Sequence, residues 1–166
     1  MEINNKNDII FRPIGIIHSP FKKPRGTPIQ PIGARDVRGT IEVFPEYIGG
    51  LKDVQGFSHI IVICHLHLSG EAALEVKSFL DDQFHGVFAT RSPARPNPVG
   101  ISVMRLDRIE ENVLHIQDVD LVDGTPLIDI KPYVPEFNVR VAERTGWLGR
   151  NVHKLPESRD DGRFVK

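Results

Sequence analysis

Short segments of alternating or continuous apolar residues follow one another along most of the chain. Ile14, Ile16 and His18 alternate in the first such segment, and Ile41 and Val43 alternate in the second. Alternation of this kind, with many β-branched residues, is typical of half-buried strands. The segments that predict strands are residues 11–21, 39–47, 57–68, two strands within 100–122 around a turn at 110–112, and 125–135.

One segment has helical spacing instead. Ser69 stands at its start as a possible N-cap, and acidic residues follow in the first turn. The apolar positions with helical spacing are Ala72, Ala73, Val76, Phe79 and Leu80. The pattern therefore predicts a single helix within residues 69–82.

The connections between the predicted strands are mainly turns and not crossover helices. Strands joined in this way favour an antiparallel arrangement over a doubly wound parallel sheet. We therefore predict a mainly β fold with few short helices, in which six or more strands form a mostly antiparallel sheet or barrel.

The composition limits the cellular compartments and the classes of binding partner that fit the sequence. With 166 residues the chain fits one domain. The net charge of -1 offers no broad attraction for nucleic acid or anionic lipid, so any anion site must be local. The single cysteine, Cys64, excludes an internal disulfide and agrees with a reducing compartment. The polar start does not resemble a signal peptide and no run approaches a membrane span, so we expect a cytoplasmic protein with no membrane partner.

The proline-rich segment FATRSPARPNPVG, residues 88–100, is the most unusual part of the chain. Its three prolines lack amide donors and fix φ, which predicts a stiff, ordered loop. A turn over residues 92–95 would bring Arg91 and Arg95 together around an anion. The alternative is a rigid connector whose arginines pair with acidic residues elsewhere.

A second unusual segment runs from residue 121 to residue 135. Asp123 and Gly124 are a turn signal, and Asp129, Lys131 and Tyr133 alternate onto one face of the following strand. Because Asp129 and Lys131 have opposite charges, this face is either a solvated, charge-paired strand edge or part of a site.

Signatures of common catalytic sites are absent from the sequence: it has no glycine-rich phosphate loop, no nucleophile elbow and no HExxH motif. His65 and His67 are two apart on a predicted strand, which would place them on the same side. No third metal ligand has an evident position, so packed histidines are favoured and no metal site is predicted.

Four blocks, in order, resemble the TsaA-like family, which includes the TrmO-type transfer-RNA methyltransferases. The blocks are FRPIGIIHSPF, GTIEVFPEYIGGLKDVQGFSHIIVICHLH, GVFATRSPARPNPVGISV and DLVDGTPLIDIKPYVP. Long blocks in a fixed order are more specific than any single short motif. The resemblance spans about residues 11–137.

The resemblance implies a compact single-sheeted β-barrel of the TsaA-like type, formed by residues 11–137, that binds S-adenosylmethionine and works as a homodimer. We expect residues 138–166, called the C-terminal arm below, to pack on or beside the barrel. The characterised reaction of the family is methylation of the exocyclic nitrogen of threonylcarbamoyl-adenosine beside the anticodon of certain transfer RNAs. Transfer RNA is accordingly the expected substrate.

The family's cofactor positions can be matched to this sequence. The matching residues are Pro28, Ile29, Gln30, His67, Leu68, Arg91, Ile101, Leu121, Val122, Asp123 and Gly124. The apolar members would form walls, the Asp123–Gly124 turn would present backbone groups to adenine or ribose, and Arg91 would bind a carboxylate in a forked pair.

Residues for the acceptor and the chemistry follow from the same blocks. We expect Arg95, Asn97 and Lys131 to bind the acceptor. The acceptor nitrogen is amide-like and a weak nucleophile, so a base should take its proton. Asp129 is one candidate for that base, and Tyr133 or a water could assist.

Two other functions share the same blocks. One is a methyltransferase of the same fold that acts on a small molecule, and the other is a non-catalytic S-adenosylmethionine sensor. Only an RNA enzyme needs a basic rim that binds the phosphate backbone. The candidates for that rim are Lys22, Lys23, Arg25, Arg35, Arg38 and the arginines after Pro135.

Overall fold

The computed structural model describes residues 8–165, and the polar start that argued against a signal peptide lies largely outside this part. Its strands are β1 (Gly15–His18), β2 (Arg38–Val43), β3 (His59–His65), β4 (Glu75–Lys77), β5 (Phe84–Gly86), β6 (Val99–Glu110), β7 (Val113–Gln117) and β8 (Thr125–Pro132). One short helix, α1, covers Pro135–Asn138. The short 3₁₀ segments are Pro31–Ala34, Pro45–Leu51, Val54–Gly56, Val87–Ala89, Gly146–Arg150 and Val152–Lys154.

Six of the strands close into a barrel in the order β1, β2, β7, β6, β3, β8, and β8 pairs with β1 to complete the ring. Every neighbouring pair is antiparallel. The mainly β, single-sheeted barrel expected from the sequence is thereby confirmed. The strand segments that the sequence pattern predicted supply all six barrel strands.

Inward-facing apolar side chains fill the barrel. Ile17, Ile41 and Met104 are fully buried there, and they come from three different strands. In β1 the core residue is Ile17, which lies between the alternating positions Ile16 and His18. The other members of the core cluster are Val43, Ile60, Val62, Cys64, Leu106, Leu114, Ile116, Val119, Leu121 and Leu127.

The predicted helix within residues 69–82 is wrong, because this segment contains β4, which pairs with β5 in a separate two-stranded sheet. The apolar residues with helical spacing do not form one buried face. Val76 packs against Val87 and Ala94, whereas Phe79 meets the ring of Phe164 edge-on at 5.0 Å. Phe164 also packs against the Val76 cluster, whereas Ala72 and Ala73 are exposed, so the contacts that hold the segment in an extended path outweigh its helical propensity.

The described part of the C-terminal arm, residues 138–165, is mostly irregular and lies against the rest of the chain. Isolated bridges join Arg159 to Pro28 and Val165 to Ser69. The backbone of Asp160 adds two hydrogen bonds, donated by Gly26 to its carbonyl and by its own amide to Thr27, at 2.6 and 2.9 Å. Within the described residues, no helix has both the length and the apolar character needed to cross a membrane.

Candidate functional site

A cavity of about 680 Å³ opens beside one end of the barrel. Six parts of the chain form its walls: the segment 24–30 after β1, residues 66–69 after β3, residues 78–80 after β4, the proline-rich loop with the start of β6, the connection between β7 and β8 with the first residue of β8, and the C-terminal arm. Its size lies within the range of small-molecule and cofactor sites. Most of its wall is apolar, with a small number of polar and charged side chains.

The proline-rich loop is held in place by hydrogen bonds that its own hydroxyl groups make. The Thr90 hydroxyl donates to Val87 O at 2.8 Å and accepts from the Ser92 amide at 3.2 Å. The Ser92 hydroxyl in turn accepts from the Ala94 amide at 3.3 Å. The Leu66 amide, just after β3, donates to Pro98 O at 2.8 Å. The loop is therefore irregular yet tied to the barrel.

Arg91 and Arg95 both line the cavity, but they make different contacts. Arg91 Nη1 donates to Gln30 Oε1 at 3.1 Å. Arg95 Nη1 donates to Thr90 O and Ser92 O at 3.0 and 3.2 Å, which braces the loop from inside. Among residues 8–165, neither guanidinium lies within ion-pair distance of a carboxylate. Both arginines therefore keep N–H groups and charge for a ligand.

Most of the residues matched to the family's cofactor positions lie on this one cavity, although they come from separate parts of the sequence. Those that line it are Pro28, Ile29, Gln30, His67, Leu68, Arg91, Ile101, Leu121 and Val122. The set combines apolar walls with an amide, an imidazole and a guanidinium.

Asp123 and Gly124 lie just beyond the cavity wall. The Asp123 carboxylate accepts hydrogen bonds from Lys22 Nζ at 2.7 Å and from the Ser19 amide at 3.0 Å. The Lys22 bond, with the Ser19 amide and nearby charges, lowers the pKa of Asp123. Gly124 adopts φ of 81°, a left-handed conformation that suits glycine, and its amide donates to Ile17 O. Together the two residues fix the turn that leads from the cavity into β8.

The predicted acceptor and catalytic residues divide into two groups. Arg95 and Asn97 line the cavity. Asp129, Lys131 and Tyr133 are not on its wall: Lys131 Nζ pairs with Asp129 Oδ2 at 2.7 Å, and the Tyr133 ring meets His59 edge-on at 6.2 Å. The Asp129–Lys131 ion pair agrees with the alternative that this face is a solvated, charge-paired strand edge. Within this chain, the structure does not bring these three residues together with the cavity.

Asp120 is a cavity residue that the sequence analysis did not select. It precedes Leu121 between β7 and β8, and Ser102 Oγ donates to its Oδ1 at 2.7 Å. Burial raises the pKa of Asp120 to about 6, although the bond from Ser102 and the nearby charge of Arg91 act in the opposite direction. The available signal was Ser102, a polar residue at an inward position of β6 next to Met104 and Leu106 in the same alternation.

His65 and His67 do not share a strand face. β3 ends at His65, and His67 lies in the turn that follows, where its amide donates to His65 O. Burial, with the nearby charge of His65, lowers the pKa of His67 below its usual value. In the part of the chain that the structure describes, no group of three His, Cys, Asp or Glu side chains could hold a metal ion.

The C-terminal arm supplies one wall of the cavity. Its lining residues are Trp147, Leu148, Val152, Leu155, Asp160, Phe164 and Val165. The Trp147 ring stacks on His85 with 4.0 Å between ring centroids and 10° between planes, and its Nε1 donates to Ala89 O. Lys154 Nζ donates to Leu80 O at 2.8 Å. These contacts hold the arm against the β4–β5 sheet and the loop.

An antiparallel barrel that carries a partly apolar cavity with two available guanidiniums and a partly buried carboxylate is typical of a binding protein for a small, charged organic molecule. The sequence family identifies the class of protein more specifically than the fold and the cavity do. The sequence model described as tRNA-methyltransferase O N-terminal domain matches residues 16–139, and the chain belongs to this family.

Individual relatives agree with the family. A protein of Pyrococcus abyssi, described as a probable S-adenosyl-L-methionine-binding protein, is 61% identical over 156 residues, which are 94% of this chain and 85% of that protein. The human tRNA (adenine(37)-N6)-methyltransferase is 31% identical over 140 residues, 79% of this chain but 31% of the human protein.

A solved structure shows the same architecture. The crystal structure of TrmO from Pseudomonas aeruginosa superposes with a TM-score of 0.70 at 35% identity, over 84% of this chain and 61% of that one. The chain thus spans less than two thirds of the length of this solved relative.

The position of Arg91 leads to a binding prediction. Replacing Arg91 by alanine removes a charged donor from the cavity, and charged hydrogen bonds contribute about 1.5 to 3 kcal/mol. We expect Arg91→Ala to weaken S-adenosylmethionine binding by about tenfold to a hundredfold in titration calorimetry. Arg105→Ala is the control, because Arg105 lies outside the cavity on β6. Equal affinities for the two variants would contradict a ligand role for Arg91.

Proposed function

We propose that this protein is an S-adenosylmethionine-dependent methyltransferase that methylates the exocyclic nitrogen of threonylcarbamoyl-adenosine next to the anticodon of transfer RNA, in the cytoplasm. The observation that carries the proposal is the cavity itself, where most of the family's cofactor positions meet two arginines and a partly buried carboxylate. The names of the relatives, an S-adenosyl-L-methionine-binding protein and a tRNA (adenine(37)-N6)-methyltransferase, support the same reaction.

The residues of the cavity fit the cofactor. Ile29, Leu68 and Leu121 offer apolar surface for adenine, and Gln30 with Arg91 offers donors for a carboxylate. S-adenosylmethionine, when bound, supplies a methyl group on a sulfonium centre. This transfer is an in-line displacement, so much of the catalysis should come from holding the acceptor nitrogen in line with the methyl group.

The acceptor has an anion that the loop can bind. Threonylcarbamoyl-adenosine carries a threonyl carboxylate close to the reacting nitrogen, and Arg95 with Asn97 stands on the cavity wall beside Arg91. The loop is already ordered by its prolines and hydroxyl groups, so less entropy is lost when the anion binds. We assign Arg91 to the cofactor and Arg95 to the acceptor.

Exposed basic residues lie on segments that lead to the cavity and support an RNA substrate. Arg159 is bridged to Pro28, a cavity residue, and Arg25 stands two residues before the buried Thr27. Contacts between exposed basic side chains and RNA phosphates position an RNA without reading its sequence. The exposed candidates are Lys22, Lys23, Arg25, Arg35, Arg38, Arg140, Arg144, Arg150 and Arg159.

We also propose that the protein works as a homodimer. On the outer face of β6, Val99, Ile101 and Val103 are 41%, 54% and 36% exposed. Val99 and Ile101 also line the cavity, so a second copy that covers this strip would lie beside the site. Light scattering at micromolar concentration should give the mass of two chains, and Ile101→Asp should shift the mass toward one chain. A single-chain mass for the parent protein would contradict the dimer.

The reaction can be tested directly. The purified protein is incubated with labelled S-adenosylmethionine and two transfer RNA preparations, one with threonylcarbamoyl-adenosine and one with unmodified adenosine at that position. We expect the label only in the modified nucleoside, because the threonyl carboxylate is needed for positioning. Mass analysis of the digested nucleosides identifies the product. Label in neither RNA would refute this acceptor and favour a small-molecule substrate or a sensor.

Arg95 should affect turnover more than cofactor binding. We expect Arg95→Ala to lower kcat/KM on modified transfer RNA by about tenfold to a hundredfold, which is the loss of one charged hydrogen bond. Its S-adenosylmethionine affinity should stay within about threefold of the parent value. Because Arg95 also bonds Thr90 O and Ser92 O, Arg95→Lys serves as a second variant that keeps the charge. A parent-like rate for Arg95→Ala would show that the residue only braces the loop.

A further inference from the structure

Asp120 is a cavity carboxylate that no cation neutralises at contact distance. Asp120 lies between β7 and β8, and within residues 8–165 it forms no ion pair. Its one side-chain hydrogen bond comes from Ser102 Oγ to Oδ1 at 2.7 Å. Asp120 is partly buried, and a carboxylate that is partly withdrawn from water on a cavity wall, with one hydrogen-bond donor, is a candidate for a role in the site.

The local packing fixes the position of this carboxylate. Val119 and Leu121, its neighbours in sequence, are buried in the barrel core, and Ser102 is a buried residue of β6. Burial and, to a lesser extent, the charge of Asp120 raise the pKa of the Cys64 thiol to about 12. Asp120 therefore has a rigid frame, and Oδ1 is held by Ser102.

We propose that Asp120 is the proton acceptor of the methyl transfer and that Ser102 is its positioning residue. This inference rests on the proposed function. Asp120 is not among the residues matched to the family's cofactor positions, and this catalytic role is a new assignment.

The bonds, the electron pair and the proton of the proposed step are all accounted for by the acceptor, the cofactor and Asp120. The acceptor nitrogen forms a bond to the methyl carbon while the bond from that carbon to sulfur breaks, and the electron pair of the broken bond stays on sulfur. The nitrogen becomes more acidic as the new bond forms, and its proton passes to Asp120. The sulfonium and the carboxylate are thereby both neutralised. A partly buried carboxylate on the cavity wall would thus suit a reaction that removes both charges.

The other titratable groups on the cavity are less suited to this role. His67 is on its wall, but its ring lies next to His65 in the turn after β3. Asp160 belongs to the C-terminal arm, and its carboxylate already accepts from the Gly162 amide at 2.6 Å. Arg91 and Arg95 are permanent cations, of which Arg91 is close enough to lower the pKa of Asp120.

The pH dependence follows from these contacts. Because the pKa of Asp120 is about 6, the carboxylate is charged and active above that value and protonated below it. Turnover should fall tenfold for each pH unit on the acid side of a midpoint near the pKa of the bound enzyme. Removing the hydroxyl of Ser102 takes away a bond that lowers this pKa, so the acid limb should move to higher pH.

The test compares the parent protein with Asp120→Asn and Ser102→Ala on modified transfer RNA from pH 5 to pH 9. For Asp120→Asn we expect turnover about a hundredfold or more below the parent, S-adenosylmethionine affinity within about threefold, and no acid limb. Ser102→Ala should retain more activity and show its limb at higher pH. Asp82→Asn is the matched control, because Asp82 is an exposed aspartate that pairs with Lys77 and does not line the cavity, and it should keep the parent's acid limb.

Each outcome decides the assignment. Parent-like turnover of Asp120→Asn, or an unmoved limb in Ser102→Ala, would overturn it. A loss of S-adenosylmethionine affinity as large as the loss of turnover would make Asp120 a cofactor ligand instead. If Asp120→Asn does not fold, the pH midpoint of the acid limb measured for Ser102→Ala still tests the assignment of Asp120. A parent protein that methylates no RNA would refute the proposed function, whereas an active parent with an equally active Asp120→Asn refutes only this inference.

Discussion

The pairing of β6 with β3 is the constraint on which the site depends. The register sets Ile101 opposite Ile63 and Val99 opposite His65, and the Leu66 amide extends the ladder to Pro98. Because side chains alternate along a strand, this register turns Ser102 toward the interior and leaves Ile101 at the cavity. A shift by one residue would exchange these roles and would remove the hydroxyl from Asp120. The barrel thus positions the chemistry through backbone hydrogen bonds, and the loops supply the charges.

The proline-rich loop solves a related problem, which is to keep two cations in place without a regular element. Each proline restricts the backbone, and Thr90 and Ser92 satisfy amide groups that no strand partner reaches. Arg95 then uses one nitrogen on loop carbonyls, whereas Arg91 reaches across to Gln30. A loop ordered in this way loses little entropy on binding, and this agrees with a site that must orient two substrates.

Much of the fold could be predicted from the sequence because strand periodicity is a local signal. Ile41 and Val43 lie in the core, as their alternation predicts. Residues 69–82 could not be read in the same way, since their apolar side chains pack against Val87, Ala94 and Phe164 from later parts of the sequence, and this packing leaves the same spacing as a helix would. Asp120 was missed for a similar reason: its burial depends on the connection between β7 and β8 and on Ser102, which lies 18 residues away in sequence. Local patterns locate strands, but contacts of this kind appear only in three dimensions.

The C-terminal arm has a further consequence for how members of this family can differ in ligand binding. The family model ends at residue 139, whereas seven residues after that point stand on the cavity wall. The family model therefore stops before the cavity wall does, although the Pyrococcus abyssi relative matches 94% of this chain and so extends into the arm. A ligand that touches both the barrel and the arm is linked thermodynamically to the docking of the arm, so each must strengthen the other by the same free energy. Relatives that share the barrel but differ beyond residue 139 can then differ in affinity for the same cofactor with every barrel residue unchanged.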